Sequence, residues 1–251
     1  MNEVDSKLAQ APIVEAIVEI YCDVPPGLDL ASVARTAAKR FESRYPKGRT
    51  RLLEQHTLTK QANVPPEYRE RLGVHAYLFS TEDELQTVQV RGLGFSFNRL
   101  APYGSLDEYL PDIEWAWGGY KSIVMPLLVR EVRLRYVNRI LIPKTQATID
   151  LARYITLSPG VPGSGDFTLS GFLTQYIATE NATGSRVSVT ATPQAAEEGH
   201  LPVILDIQVS RVVAAEPDDW ESLAHAIASL RVTKNRVFRG ALTPDCMELF
   251  Q

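Results

Sequence analysis

The sequence predicts an α+β protein in which antiparallel sheets curl around long helices. Most of the chain consists of short stretches with alternating apolar and polar residues, the pattern of half-buried strands. Two long segments have helical apolar spacing, at 105–120 and from about 218 onward, and a group of these strands lies between them. Because the strands follow one another in groups rather than alternating with helices, antiparallel meanders are favoured over a doubly wound parallel sheet.

The first element is a strand at Ile13–Val24. Every even position in this stretch is apolar, whereas Glu15, Glu19 and Asp23 fall on the opposite face. A helix follows, because Asp29 is a suitable N-cap and the next apolar residues recur with the helical period.

Three strands and a second helix are predicted to complete the first half. The strands lie at 49–59, 73–80 and 85–100. Gly92 and Gly94 lie within the last of these and indicate a bulge or a close backbone approach. The helix begins at Ser105, with Asp107 and Glu108 in its first turn, where the helix dipole favours carboxylates.

A second half with a similar order is predicted from residue 126. The strand Val129–Ile142 comes first, then a short helix at 147–154 and a glycine- and proline-rich loop at Ser158–Gly165. Strands at 171–180, 185–192 and 202–214 precede the closing helix. The sequence therefore predicts one compact domain, 1–251, built from two similar β-α-β-β-β-α halves at approximately 8–125 and 126–251.

Composition predicts a cytoplasmic protein with a full hydrophobic core and no membrane segment. Of 251 residues, 45% are hydrophobic and 22% are charged, which excludes a disordered chain. Two cysteines do not make a disulfide framework. The first ten residues lack the apolar region of a signal peptide, and the longest apolar run is too short to cross a bilayer.

No motif in the sequence specifies a reaction. There is no phosphate-binding loop and no Gly-x-Ser-x-Gly nucleophile elbow. The four histidines are scattered, with no spacing typical of metal ligands. We therefore expect no metal site and no cofactor, and favour a non-catalytic protein, although catalytic groups can also be assembled from distant residues.

The stretch "REVRLRYVNRILI" at 130–142 concentrates arginines in a chain of formal net charge −4. A period of two places Arg133, Arg135 and Arg139 on one strand face. If this strand lies beside the first one, Glu15 and Glu19 can form a cross-strand ladder with the arginines. Alternatively, the same acidic and basic faces would grip a phosphorylated ligand, because guanidinium groups bind phosphate in pairs.

Asn138 lies on the apolar face of the same strand. A buried amide must find hydrogen-bond partners. We expect it either to pin a neighbouring turn or to line a pocket, and include it among the candidate ligand-binding residues.

Two basic clusters are candidate contacts for an anionic partner, including nucleic acid. Arg35–Arg51 contains seven cations and one carboxylate. The second cluster is Arg231, Lys234, Arg236 and Arg239. Alternatively, these cations complement helix C-termini and solvate a surface, since no aromatic residues are interleaved with them.

Several motifs resemble a sporadically distributed prokaryotic family of proteins of about this length. They are L-x-x-A-P-I-V-E-A-I-V-E-I at Leu8–Ile20, F-N-R-L at 97–100 followed by Pro102 and Tyr103, and L-R-Y-V-N-R-I at Leu134–Ile140. The resemblance extends to Leu223–His225 and Leu242–Pro244. This family has no established activity, and its distribution implies an accessory role, associated with defence or mobile elements.

Three functional hypotheses follow. The first is a non-catalytic binding protein that holds a protein, a nucleic acid or a small anion. The second is a phosphate-handling enzyme, a nucleotide or polyphosphate hydrolase, with Glu15 and Glu19 on a divalent metal and the strand arginines on phosphates. The third is a structural homodimer formed through an exposed strand or the last helix.

Overall fold

A computed structural model describes residues 8–59, 67–144, 149–157 and 170–251, with side chains outside 55–72. The predicted loop at Ser158–Gly165 lies outside the described residues. Within the described part the architecture is α+β, with one nine-stranded antiparallel sheet and a few helices, as predicted for the fold class.

The strands and helices have the following bounds. The strands are β1 (Ile13–Asp23), β2 (Lys47–Thr59), β3 (Glu67–Ser80), β4 (Gln86–Arg91), β5 (Gly94–Leu100), β6 (Leu128–Pro143), β7 (Thr174–Thr179), β8 (Arg186–Pro193) and β9 (His200–Ala215). The helices are α1 (Ala34–Phe41), α2 (Leu106–Val124), α3 (Trp220–Ala241) and α4 (Pro244–Glu248), with short 3-10 helices at Leu30–Val33 and Leu151–Arg153. Among the described helices, none has both the length and the apolar character needed to cross a bilayer.

The strand order in the sheet is β2-β3-β4-β5-β1-β6-β9-β8-β7. Strands β1 and β6 lie side by side at the centre, so the condition for the predicted cross-strand ladder is met. Their register places Glu19 opposite Arg133 and Ile17 opposite Arg135.

One face of the sheet carries the hydrophobic core. The even-numbered residues of β1 and β6 are buried there, from Ala16 and Val132 onward. Helix α2 covers β1 and β5: Tyr120 Oη lies 3.3 Å from Cys22 Sγ, and the Trp117 ring packs edge-on against Phe95. Helix α3 packs on β6 and β9. Removal of these apolar faces from water is the main force holding helices and sheet together.

The predicted single strand at 85–100 is wrong, because the chain forms the hairpin β4–β5 with a turn at Gly92 and Leu93. Gly94, which follows the turn, packs directly on β1: a Cβ placed there would lie 2.6 Å from the Ile20 carbonyl oxygen. The sequence prediction of a close backbone approach is therefore correct at Gly94, whereas the glycine pair also permits the chain to reverse.

The prediction of two similar halves is not confirmed. The first half has four strands after α1, because of this additional hairpin, whereas three strands follow β6 in the described second half. The predicted helix at 147–154 is reduced, within the described residues, to the 3-10 turn Leu151–Arg153, which begins where Asp150 accepts a hydrogen bond from the Ala152 amide.

Candidate functional site

The predicted contact between β1 and β6 is present at Glu19. Arg133 Nη1 donates to Glu19 Oε2 at 3.4 Å and to the Tyr21 hydroxyl at 3.1 Å. From the other side, Arg91 Nη1 donates to Glu19 Oε1 at 2.8 Å. Both guanidinium groups lie over the Tyr21 ring, 5.1 Å and 4.7 Å from its centroid for Arg91 and Arg133. Glu19 therefore holds two arginines, of which sequence reasoning identified one.

The remaining candidate residues of this face pair elsewhere. Arg135 binds Asp206 on β9 with two nitrogens, at 2.6 Å and 2.9 Å, and this hydrogen bonding raises the pKa of Arg135. Arg139 donates to Gln194 at 3.0 Å and forms an ion pair with Glu197. None of these three partners lies on β1, so Arg135 and Arg139 do not contact the two glutamates through these bonds.

Glu15 is held by an amide rather than by an arginine. Asn98 Nδ2 on β5 donates to Glu15 Oε1 at 2.8 Å, and Asn98 Oδ1 in turn accepts from Gln89 and Ser96. These contacts extend a polar network across β4, β5 and β1. The six candidate residues are thus not brought together in one site.

Asn138 lies on the opposite, helix-covered face and is 1% exposed. Its Nδ2 donates to the Leu205 carbonyl at 2.9 Å on the neighbouring strand β9. Asn138 also lines a cavity, so the structure follows the second of the two predicted alternatives for this amide.

This cavity has a volume of about 750 Å³, within the range of small-molecule binding sites. It is bounded by the segment leading into β1, the start of α2, the middle of β6 and the last turns of α3. Its polar lining includes Tyr103, Tyr136, Asn138, Arg231, Lys234, Asn235 and Arg239. Its apolar lining includes Leu8, Ile13, Leu106, Phe238 and Met247.

Helix periodicity brings the cations of α3 to the cavity. Residues 231, 234, 235, 238 and 239 recur at intervals of three and four, so they share one face of the helix. Arg236 falls outside this set and forms an ion pair with Glu180. The predicted basic cluster is therefore divided between a cavity wall and an ion pair.

Lys234 is the most unusual of these residues, since it is only 8% exposed. Its ammonium nitrogen lies 4.0 Å from the centroid of the Tyr136 ring. Among the described residues no carboxylate forms an ion pair with it. Burial, with the neighbouring charges of Arg231 and Arg239, lowers the pKa of Lys234 from 10.5 to about 8.

Two tyrosines and one ion pair complete the cavity wall. The hydroxyls of Tyr103 and Tyr136 lie 2.7 Å apart, and burial raises the pKa of both, that of Tyr136 to about 12. Arg231 Nη1 donates to both carboxylate oxygens of Asp107 at 2.8 Å. Arg231 is 29% exposed, so the cavity reaches solvent beside this ion pair.

The cluster Arg35–Arg51 forms several contacts within the protein. Arg40 and Arg44 each lie 4.5 Å from the centroid of the Trp115 ring, and Arg44 pairs with Asp112. Arg49 binds Glu84 at 2.6 Å. Binding of nucleic acid by either basic cluster stays a prediction. Among the residues with described side chains, no group of three or more His, Cys, Asp or Glu side chains is placed to hold a metal ion.

Comparison with known proteins identifies no family. No protein-family model and no curated protein matches the chain. One solved structure found is that of the S. pombe Pct1 RNA triphosphatase in complex with the Spt5 CTD, which is 8% identical. The match covers 91% of this chain and 83% of that chain with a TM-score of 0.12, and carries no argument about fold or function.

Proposed function

We propose that the protein is a non-catalytic binding protein that holds a small amphipathic anion in the Lys234 cavity. The accessory role of the family that the sequence resembles is compatible with such a binding protein. The observation that carries the proposal is the buried ammonium group of Lys234, which lacks a carboxylate partner in the described structure.

A buried charge without a counter-ion is unfavourable. Transfer of an ammonium group from water is costly unless an opposite charge or hydrogen bonds compensate it, and the aromatic ring of Tyr136 compensates it only in part. An anion bound in the cavity would supply the missing charge. It would thereby stabilise the folded protein.

The lining specifies the kind of anion. The side chains of Arg231, Lys234 and Arg239 make part of the wall cationic, and Arg231 is paired there with Asp107. Apolar side chains, among them Ile13 and Phe238, cover another part of the wall. A carboxylate attached to an apolar or aromatic body would satisfy both parts and fits the volume of about 750 Å³.

The arginine face of the sheet supports a ligand site less well. Glu19 is engaged by Arg91 and Arg133, and Arg135 by Asp206. A phosphate clamp at this face would have to break these pairs before it could bind. We therefore place the function in the cavity rather than on the face that the phosphate-handling hypothesis used.

Calorimetric titration tests the proposal. We expect saturable binding of phenyllactate and weaker binding of acetate and inorganic phosphate, which lack the apolar body. In Lys234→Met the affinity for phenyllactate should fall at least about tenfold, because a charge-assisted contact is lost. The affinity of the natural protein should also fall as the pH rises through about 8, where Lys234 loses its proton.

The matched control is Lys39→Met. It replaces an exposed lysine of α1 and changes the net charge by the same amount as Lys234→Met. Its affinity should equal that of the natural protein. Absence of saturable binding for all three anions, or equal binding by Lys234→Met, would refute the cavity as the site.

A further inference from the structure

We propose that the cavity captures α-oxo acids covalently, through a reversible imine between Lys234 and the oxo carbon. The inference rests on the anion site proposed above and adds a ligand class and a chemical step to it. Such a protein would distinguish an α-oxo acid from the hydroxy acid of the same shape.

The first support is the environment of the amine. Nζ of Lys234 lies against the Tyr136 ring, in a cavity large enough for an organic acid, and no described carboxylate holds it as an ion pair. On α3, Arg231 lies about one helical turn before Lys234 and Arg239 about one and a half turns after it. Both arginines line the same cavity, and their positive charges attract the carboxylate of an acid bound there while its carbonyl group faces the amine.

The second support is the fraction of neutral amine. Burial and the two flanking cations lower the pKa of Lys234 to about 8, so an appreciable part of the amine has a lone pair at neutral pH. An exposed lysine, with a pKa about two units higher, is almost wholly protonated under the same conditions.

The chemistry balances without a redox partner. The neutral amine attacks the oxo carbon, and after proton transfer from nitrogen to oxygen a carbinolamine results. Its hydroxyl group takes up a proton and leaves as water, which yields the protonated imine; one water is released for each imine formed. The hydroxyl pair of Tyr103 and Tyr136 lines this cavity, and the raised pKa values of both groups keep them protonated and able to donate.

Borohydride trapping tests the inference. The full chain is incubated with phenylpyruvate and sodium cyanoborohydride, and the adduct is measured by intact mass and located by peptide mapping. We expect one adduct per chain, at Lys234, and a yield lower by at least about tenfold in Lys234→Met but unchanged in Lys39→Met. The neutral ketone phenylacetone should give at least about tenfold less adduct, because it lacks the carboxylate that the cationic wall attracts.

The pH profile separates covalent capture from simple anion binding. The rate of trapping should rise as the pH increases toward about 8, whereas the affinity for phenyllactate should fall over the same interval. Phenyllactate should compete with phenylpyruvate without forming an adduct.

The possible results distinguish the two proposals. Binding of phenyllactate with no phenylpyruvate adduct at Lys234 would overturn the imine and leave the anion site intact. An adduct spread evenly over exposed lysines would also overturn the imine. Failure of both acids to bind would overturn the proposed function together with this inference.

Discussion

Replacement of Lys234 by methionine should make the unliganded protein more stable. The two side chains have similar length, and methionine adapts well to irregular apolar surroundings. The substitution removes a charge that is 8% exposed and has no acidic partner among the described residues. We therefore expect the free energy of unfolding to rise, whereas most substitutions of a buried residue lower it.

The magnitude follows from the pKa. Lowering the pKa of Lys234 from 10.5 to about 8 corresponds to about 3 kcal/mol of unfavourable free energy in the protonated folded protein. Loss of the contact with the Tyr136 ring offsets about 1 kcal/mol of this. The free energy of unfolding should thus rise by about 2 kcal/mol at neutral pH, which corresponds to roughly 4–8 °C in the melting temperature of a chain this long.

The gain should depend on pH. The unfolded chain keeps the lysine proton up to its ordinary pKa of 10.5, whereas the folded protein releases it near 8. The unfolded state therefore binds more protons between these values, and the stability contributed by Lys234 increases with pH across that interval. The advantage of Lys234→Met should be full below pH 8 and should disappear by about pH 10.5.

Equilibrium urea unfolding at a series of pH values provides the assay. The quantity to follow is the difference between Lys234→Met and the natural protein, because other titrating groups cancel in it. Lys39→Met should change stability by no more than about 0.5 kcal/mol at any pH. A less stable Lys234→Met at neutral pH, or a difference that does not change with pH, would refute the reasoning.

Two further pairs of substitutions test the sheet. Glu19→Gln should lower the free energy of unfolding by about 2 kcal/mol, because two partly buried guanidinium groups lose their charged acceptor. Asp206→Asn should lower it by about 1 kcal/mol or less, because its guanidinium partner is 42% exposed; equal losses in urea unfolding would contradict this ranking. Gly94→Ala should lower it by about 2 kcal/mol or more, since the new methyl group would meet the β1 backbone. The control is Gly92→Ala, because a Cβ at Gly92 would have no heavy atom within 4 Å beyond those of its chain neighbours, and its melting temperature should equal that of the natural protein. Equal melting temperatures for the two glycine variants would refute the predicted clash.

Much of the fold could be predicted because its signals are local. The alternation in "IVEAIVEIYCD" and "VREVRLRYVNRILI" identified β1 and β6 and the face that each buries. Asp29 caps the first helical segment as predicted, its carboxylate accepting a hydrogen bond from the Ala31 amide. The prediction of one strand at 85–100 was wrong. A two-residue turn does not interrupt the alternation of apolar and polar residues, so the two strands of the hairpin look like one in the sequence.

The candidate site was less accessible to sequence reasoning. The cations of α3 were recognised as a cluster, but their common face with Phe238 was the only signal that some of them point inward. The sequence did not indicate that Arg91 and Asp206 take part, because nothing in their own strands shows that they face Glu19 and Arg135.

By itself the sequence determined the fold class, the central strands with their buried faces, and the presence of an arginine-rich face. Only the tertiary structure decided which strands are neighbours, which carboxylate each arginine binds, and that Lys234 is enclosed in a cavity with Tyr136. The reason is physical: side-chain periodicity is a property of a few consecutive residues, whereas pairing and burial depend on surfaces brought together from distant parts of the chain.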